Sequence, residues 1–195
     1  MKFTDKKTIQ IDRDLSDLDT FTLDFVKILK KHTNYVIVSG YVAIILGRAR
    51  ASEDVDIIIP RIDFSTFQVF YNELKENNFY CLNAEKDDIV FSYLEDNLAV
   101  RFAKIGSMIP NIEMKWTKND FETIALDNAI DIKFKNKLLC ISPFELQIAF
   151  KEAVLKSPKD LDDATHIREV TKEFIDNDLI QKYKEMLRGF YRREQ

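Results

Sequence analysis

Cysteine, glycine and proline are all scarce in this sequence. Two cysteines in 195 residues exclude the disulfide framework that holds many small secreted domains together. Cys81 and Cys140 lie in apolar, strand-like segments without metal-ligand spacing and are expected to be buried free thiols. Four glycines and four prolines leave little room for a long flexible linker. Neither sign of charge dominates. A formal net charge of −4 argues against a protein that coats nucleic acid non-specifically, while leaving a local basic groove open. No charged-then-apolar leader opens the sequence and no apolar run approaches the length of a membrane span, so the expected location is cytoplasmic. Internal repeats and low-complexity tracts are absent.

Core material is plentiful. Hydrophobic residues make up 46% and charged residues 32% of the chain, with fifteen Phe and seven Tyr. That suits one globular core, or a domain with a helical extension. Residues 1–14 are polar and lack periodicity, as in a strand or loose arm. Ser16 with Asp19 is a capping signal, after which Leu18, Phe21, Phe25, Ile28 and Leu29 recur at helical spacing to about Lys31. His32 follows, where a positive charge complements the helix dipole. Phe67, Phe70, Tyr71 and Leu74 predict a second helix starting near Asp63 or Ser65, then a strand over residues 79–82. Segments 89–93 and 98–103 alternate apolar and polar positions around Leu94-Glu95-Asp96-Asn97, which predicts a hairpin. Residues 131–134 and 138–141 predict another, turned at Lys135-Asn136-Lys137.

The last third reads as helices. In Ser142-Pro143-Phe144-Glu145, Ser is placed to cap, Pro suits the first helical position and Glu completes a capping box. Leu146, Ala149, Phe150 and Val154 give that helix an apolar face. Ser157-Pro158 opens a further helix carrying His166, expected to be structural or at the surface. A final helix from about Asp178 turns Ile180, Tyr183, Leu187 and Phe190 inward, and its basic end (Arg188, Arg192, Arg193) is expected to be solvated. The alternation of strands and helices predicts an α+β fold with an α/β-type core, a mixed β-sheet flanked by helices. The expected division is a core with its N-terminal helix over residues 1–141 and a C-terminal helical segment over 142–195 packed on it.

The stretch that organises the rest runs from Tyr35 to Pro60. It reads as a buried strand (residues 35–38), a small-residue turn at Ser39-Gly40, a short apolar helix (41–46), a basic loop (47–53) and a second strand opening with Asp54-Val55-Asp56. Successive strand side chains alternate faces, so Asp54 and Asp56 share one. Two carboxylates this close repel unless a positive charge sits between them, and a hard divalent cation such as Mg²⁺ takes oxygen ligands of this kind. Gly40 makes either a tight turn or a close approach of backbone to a ligand, with free N–H groups of the next helix available to a phosphate. Arg48 and Arg50 are expected to be solvated, unless Arg50, so near the acid pair, holds an anionic ligand.

A small pair closing a strand, a short helix, and Asp-x-Asp opening the next strand together resemble the nucleotidyltransferases of the DNA polymerase beta superfamily. Ser39-Gly40 stands at the small pair, in the order opposite to the commoner Gly-Ser. The run Arg50-Ala51-Ser52-Glu53-Asp54-Val55-Asp56 is similar to the Arg-x-Ser/Thr-x-Asp-x-Asp of stand-alone members, toxins of toxin–antitoxin pairs among them. The acid in Ile112-Glu113-Met114-Lys115-Trp116 stands where many members carry their third carboxylate, usually Asp, and Asp131 in Ala129-Ile130-Asp131-Ile132 competes for that role. Trp116 itself is expected in the core or at an edge. Ser142, Lys151, Lys159, Asp160 and Asp163 match a Ser-led helix with a mid-helix Lys, followed by Lys-Asp-Leu-x-Asp.

The resemblance implies a nucleotidyltransferase fold and Mg²⁺- or Mn²⁺-dependent transfer of a nucleoside monophosphate from a triphosphate such as ATP to an acceptor hydroxyl. The acceptor is RNA such as a tRNA end, a protein or a small molecule; an antitoxin protein is a possible partner and a membrane is not. Asp54, Asp56 and Glu113 are the implied catalytic metal ligands. Ser39, Gly40, Arg50, Ser52, Lys151 and Lys159 are the implied nucleotide-binding residues, with the acids of the Lys-Asp-Leu-x-Asp run bracing their helix. The alternative is a non-catalytic nucleotide- or partner-binding module of the same fold. A glycosyltransferase fits less well, because the apolar run Ile57-Ile58-Ile59 follows the acids instead of preceding them, and a dehalogenase-type phosphohydrolase lacks its neighbouring motifs.

Overall fold

The structure is a computed structural model that describes residues 2–5 and 7–192; Arg193 lies outside the described residues. In chain order the strands are β1 (Lys2–Asp5), β2 (Thr8–Gln10), β3 (Val36–Val38), β4 (Asp54–Ile59), β5 (Phe79–Cys81), β6 (Val100–Lys104), β7 (Asn111–Trp116), β8 (Ile130–Phe134) and β9 (Lys137–Ile141). The helices are α1 (Asp17–Leu29), α2 (Gly40–Ile45), α3 (Phe64–Glu76), α4 (Asp87–Glu95), α5 (Asp120–Asp127), α6 (Phe144–Phe150), α7 (Pro158–Thr171) and α8 (Asn177–Tyr191). α6 runs directly into a π-helical turn, Lys151–Leu155. The described strands form one mixed sheet in the order β1-β2-β8-β9-β3-β4-β7-β6-β5. This is the α+β fold that the alternation predicts. Among the described residues no helix is long and apolar enough to cross a membrane.

One face of the sheet is apolar for a simple reason of period. Val55, Ile57 and Ile59 of β4, Ile112, Met114 and Trp116 of β7, and Phe102 of β6 occupy alternate positions and are all buried. Helices α1, α3 and α4 cover them. Phe25 meets Phe79 and Phe102 at ring-centroid distances of 5.4 and 5.5 Å, and Phe91 meets Trp116 edge-on at 5.4 Å. Trp116 is therefore a core residue. Truncating Phe25 to Ala here would cost about 3–5 kcal/mol.

The start of α1 is built as the sequence predicts. Ser16 Oγ accepts from Asp19 N at 3.1 Å, and Ser16 N donates to Asp19 Oδ2 at 2.8 Å. Asp19 is fully buried and also accepts from Arg13 at 2.5 Å and from the Tyr41 hydroxyl at 2.6 Å. Burial alone would raise this carboxyl, but donors led by Arg13 and Tyr41 hold it below its ordinary value. Because Tyr41 belongs to α2, the cap of the first helix also anchors the helix after β3. His32 lies past the end of α1, with Nε2 2.8 Å from Glu73 Oε2, so it ties α1 to α3 and is not simply a dipole partner.

Three local expectations are corrected. Residues 87–95 form α4, not the first strand of a hairpin: Val90, Phe91 and Leu94 are buried at helical spacing, and Asp87 and Asp88 occupy the first turn, where carboxylates oppose the dipole. Ser142 does not cap α6. Its backbone still continues β9 beside β3, donating to Ile37 O at 2.9 Å, and its buried hydroxyl has no partner. Glu145 turns instead to accept from Asp176 N at 3.1 Å, tying α6 to the start of α8. Cys140 is only half-buried, whereas Cys81 is buried, and both are free. The expected hairpin over residues 131–141 is present as β8 and β9.

Candidate functional site

Asp54 and Asp56 open β4, and their neighbours are set by strand pairing. Asp56 sits opposite Val38 of β3 and opposite Glu113 of the parallel strand β7, and Glu113 sits opposite Arg101 of β6. One row thus crosses the sheet on the face away from the aromatic core. In it, Asp54, Asp56 and Glu113 each offer a carboxylate oxygen, and these oxygens lie within 4.8 Å of one another. Asp131 stands elsewhere: it is on β8, separated from β4 by β9 and β3, and accepts from the Cys140 thiol at 3.6 Å.

The cluster is electrostatically strained. Burial, then repulsion from Asp54 and Glu113, pushes the Asp56 carboxyl from 3.8 up to about 6, against an opposing hydrogen bond from the Ser39 side chain. Ser52 Oγ donates to the Asp54 carbonyl at 3.0 Å and to its Oδ1 at 3.2 Å. Arg101 places Nε at 2.8 Å and Nη2 at 2.6 Å on Glu113 Oε2, which leaves Oε1 available. An all-oxygen, triply acidic donor set in which one carboxyl resists ionisation suits a hard divalent cation, and Asp54, Asp56 and Glu113 would be its ligands.

The turn between β3 and α2 explains the Ser-Gly order. Ser39 has φ 64 and ψ −135, backbone that glycine adopts most easily, yet its N–H donates to Gln147 Oε1 at 3.1 Å and its side chain reaches Asp56. Gly40 is required by packing. A Cβ there would fall 2.7 Å from Arg50 Nη1 and 2.8 Å from Arg50 Cζ and Nη2.

Behind this turn lies a buried charge cluster. Asp163 of α7 is fully buried and binds three cations: Arg48 through Oδ1, Arg50 through Oδ2 at 2.5 Å, and Lys151 Nζ through Oδ2 at 2.9 Å. Lys151 is 1% exposed and also lies 3.3 Å from Asp160 Oδ1. Burial lowers both Arg50 and Lys151 from their usual values, more than the nearby acids raise them. Lys151 is not solvated, Arg50 is nearly enclosed and Arg48 keeps a partly exposed side chain that also meets Asp162 at 3.2 Å; Asp163 is their shared partner, beyond the helix-bracing role implied by resemblance. Lys159 is exposed at the start of α7, where its carbonyl accepts from Arg48 at 3.2 Å. His166 is structural, with Nε2 3.3 Å from the Leu46 carbonyl.

A cavity of about 210 Å³ opens over the acid face. Ser39, Asp56, Glu113 and Lys151 line its polar end, and Phe121, Phe150 and Tyr191 its aromatic end. Helices α5, α6 and α8 build the aromatic end together, with Phe121 against Phe190 at 5.7 Å and Phe150 against Tyr191 at 6.1 Å. Arg101, Gln147 and Tyr191 escape a reading of the sequence. Their only signal is a position opposite Glu113, opposite Ser39 or at the end of the last helix, and strand pairing and helix docking are needed to see it.

No protein-family model and no curated protein sequence matches the chain. Among solved structures, the antibiotic-resistance factor ANT(2'')-Ia superposes with a TM-score of 0.53 at 13% identity, over 90% of this chain and 95% of that one. An antigenic nucleotidyltransferase-like protein from Paracoccidioides brasiliensis gives a TM-score of 0.49 at 15% identity, over 89% and 88%. The lincosamide antibiotic adenylyltransferase LnuA, bound to lincomycin, gives 0.48 at 14%, over 82% and 100%. The fold is the nucleotidyltransferase fold. Within it, Ser39 contacts Asp56, Gly40 packs on Arg50, Ser52 contacts Asp54 and Lys151 lines the cavity, while Lys159 is exposed and does not line it.

Proposed function

We propose that the protein is a divalent-metal-dependent nucleotidyltransferase that moves a nucleoside monophosphate from a nucleoside triphosphate to an acceptor hydroxyl, with release of pyrophosphate. The observation that carries this reading is the clustering of Asp54, Asp56 and Glu113 on paired strands, with Asp56 and Glu113 lining one cavity. Transfer of this kind depends on positioning and charge neutralisation. Mg²⁺ or Mn²⁺ held by the three carboxylates would neutralise the triphosphate and acidify the acceptor hydroxyl.

The chain's own residues supply the rest. Ser39 and Gly40 lead the backbone close to where the triphosphate would lie. Arg50, whose buried Nε lacks a partner, and Lys151 add positive charge beside it, with Asp163 fixing both. Ser52 orients Asp54. In this reading residues 1–141 carry the acids and residues 142–195 close the cavity with Gln147, Lys151 and Tyr191. Lys159, exposed at the start of α7 and outside the cavity lining, would meet the triphosphate only by reaching in from solvent.

The acceptor classes are tRNA, a protein and a small molecule. The similarity of the Arg50–Asp56 run to toxin members carries a narrower reading, in which a small antitoxin protein restrains the enzyme in the cytoplasm. One observation favours a second reading, a nucleotide-binding module without turnover: Arg101 already occupies one oxygen of Glu113.

Calorimetry with each Mg²⁺–NTP, followed by transfer of an α-labelled nucleotide to tRNA, protein and small-molecule pools, separates the two. Asp56→Ala is expected to abolish transfer while melting as a folded protein. Undiminished transfer by that variant would sink the enzyme reading, and NTP binding without label transfer to any pool would favour the module.

A further inference from the structure

Of the described cations, Arg101 alone forms an ion pair with any of the three clustered carboxylates. Its origin is fixed. The Arg101 N–H donates to Asn83 Oδ1 at 2.7 Å, its carbonyl accepts from Leu82 N at 2.8 Å, and strand pairing sets it directly opposite Glu113. Its side chain is half exposed, at 53%, so packing does not account for it. The nearest alternative counter-charge, Lys115 on the same strand face as Glu113, is already paired with Glu122 at 2.8 Å.

We propose that Arg101 is a positioning residue that competes with the divalent cation for Glu113, keeping the affinity of the acid cluster for a bare cation low until nucleoside triphosphate arrives. This rests on the metal-dependent reading given above. Both donors converge on Oε2, so Glu113 can offer a cation one oxygen, not two, while the guanidinium stays in place. The guanidinium is itself a like charge to any cation in the cluster. A cation carried in by a triphosphate brings negative charge with it. The Nη1 edge of Arg101, which makes no contact with Glu113, is then attracted to the incoming complex. The same side chain therefore disfavours bare metal and tolerates the metal–nucleotide complex.

The test is Mn²⁺ titration of the full chain without nucleotide, followed by electron paramagnetic resonance, with thermal melting as a check of folding. A unit charge about 6 Å from a divalent ion in a water-like dielectric weakens its binding roughly tenfold. Arg101→Gln, which removes that charge and also frees Glu113 Oε2, is therefore expected to lower the Mn²⁺ Kd by more than that factor. Arg101→Lys, which keeps the charge, should stay within about threefold of the parent. In a Glu113→Gln background the Arg101→Gln effect should shrink, because the competed ligand is gone. Added ATP should narrow the difference between parent and Arg101→Gln. An Arg101→Gln variant that binds Mn²⁺ no more tightly, or more weakly, overturns the proposal while leaving the metal reading intact. Absence of Mn²⁺ binding by the parent and every variant removes the metal reading, and the proposal with it.

Discussion

The guanidinium of Arg50 lies directly on Gly40, close enough that a single methyl group at residue 40 would collide with it at 2.7 Å. Gly40→Ala must therefore move Arg50, and with it the ion pair to Asp163. We expect Gly40→Ala to weaken NTP binding by about tenfold or more, comparable to losing a charge-assisted contact. In an Arg50→Ala background the same substitution should add little, because the clash is gone. Calorimetric titration of the two single variants and the double variant checks this; fully additive losses would mean that residue 40 acts on its own account.

Ser39 has a φ of 64, and holding a non-glycine residue there costs on the order of 1 kcal/mol. Its side chain offsets that by stabilising ionised Asp56. Ser39→Gly should consequently raise stability by about 1 kcal/mol near pH 4, where Asp56 is protonated. The gain should fade at higher pH as the lost hydrogen bond begins to matter. Urea unfolding across that range reads both limbs, and a gain independent of pH would show that the hydroxyl does not serve Asp56.

Asp56 itself titrates at about 6, above its ordinary 3.8. A carboxyl raised on folding contributes stability that is fully present below its unfolded value and lost as pH rises through its folded value. In the metal-free protein that window runs from about pH 4 to about pH 6. Asp56→Asn should thus be nearly neutral at the acidic end and stabilising by on the order of 2 kcal/mol at about pH 8. By the same linkage, Mg²⁺ affinity should climb with pH until about pH 6 and then level off. Chemical unfolding of metal-free protein at both ends tests the first statement, and an Asp56→Asn variant weaker than the parent at alkaline pH would contradict it.

Asp163 gathers Arg48, Arg50 and Lys151 at one fully buried carboxylate. Removing one member of a buried ion cluster leaves the others uncompensated, at a cost of about 3–5 kcal/mol. Asp163→Ala should lose that much stability and open the loop over residues 47–53 to protease. Adding Lys151→Met should recover part of the loss by deleting an ammonium left with Asp160 alone. A double variant less stable than Asp163→Ala would show that Asp160 by itself compensates the Lys151 charge.

Local signals made much of the fold legible. The Ser16–Asp19 cap, the β3–turn–α2–β4 unit and the hairpin of residues 130–141 each announce themselves within about two dozen residues of chain. Residues 89–93 misled because Ile, Val, Phe and Tyr suit strands, and five residues cannot separate a period of 2 from one of 3.6. Asp54 and Asp56 were legible because they share a strand. The choice between Glu113 and Asp131 was not, since it turns on which strand neighbours β4. Arg101 and the gathering of cations at Asp163 were hidden for the same reason: their partners are 12 and more than 100 residues away in sequence, and only the assembled sheet and docked helices bring them together.

Parallel pairing of β4 with β7 sets Asp56 beside Glu113, and this has a consequence for how the chain reaches its native state. A slip of one residue between these strands would turn Glu113 toward the aromatic face and break up the acid cluster. A divalent ion that needs all three carboxylates would bind only the correct alignment, and by mass action would favour it over the slipped one. On the metal-dependent reading proposed above, the cation would then act as a proofreader of the sheet.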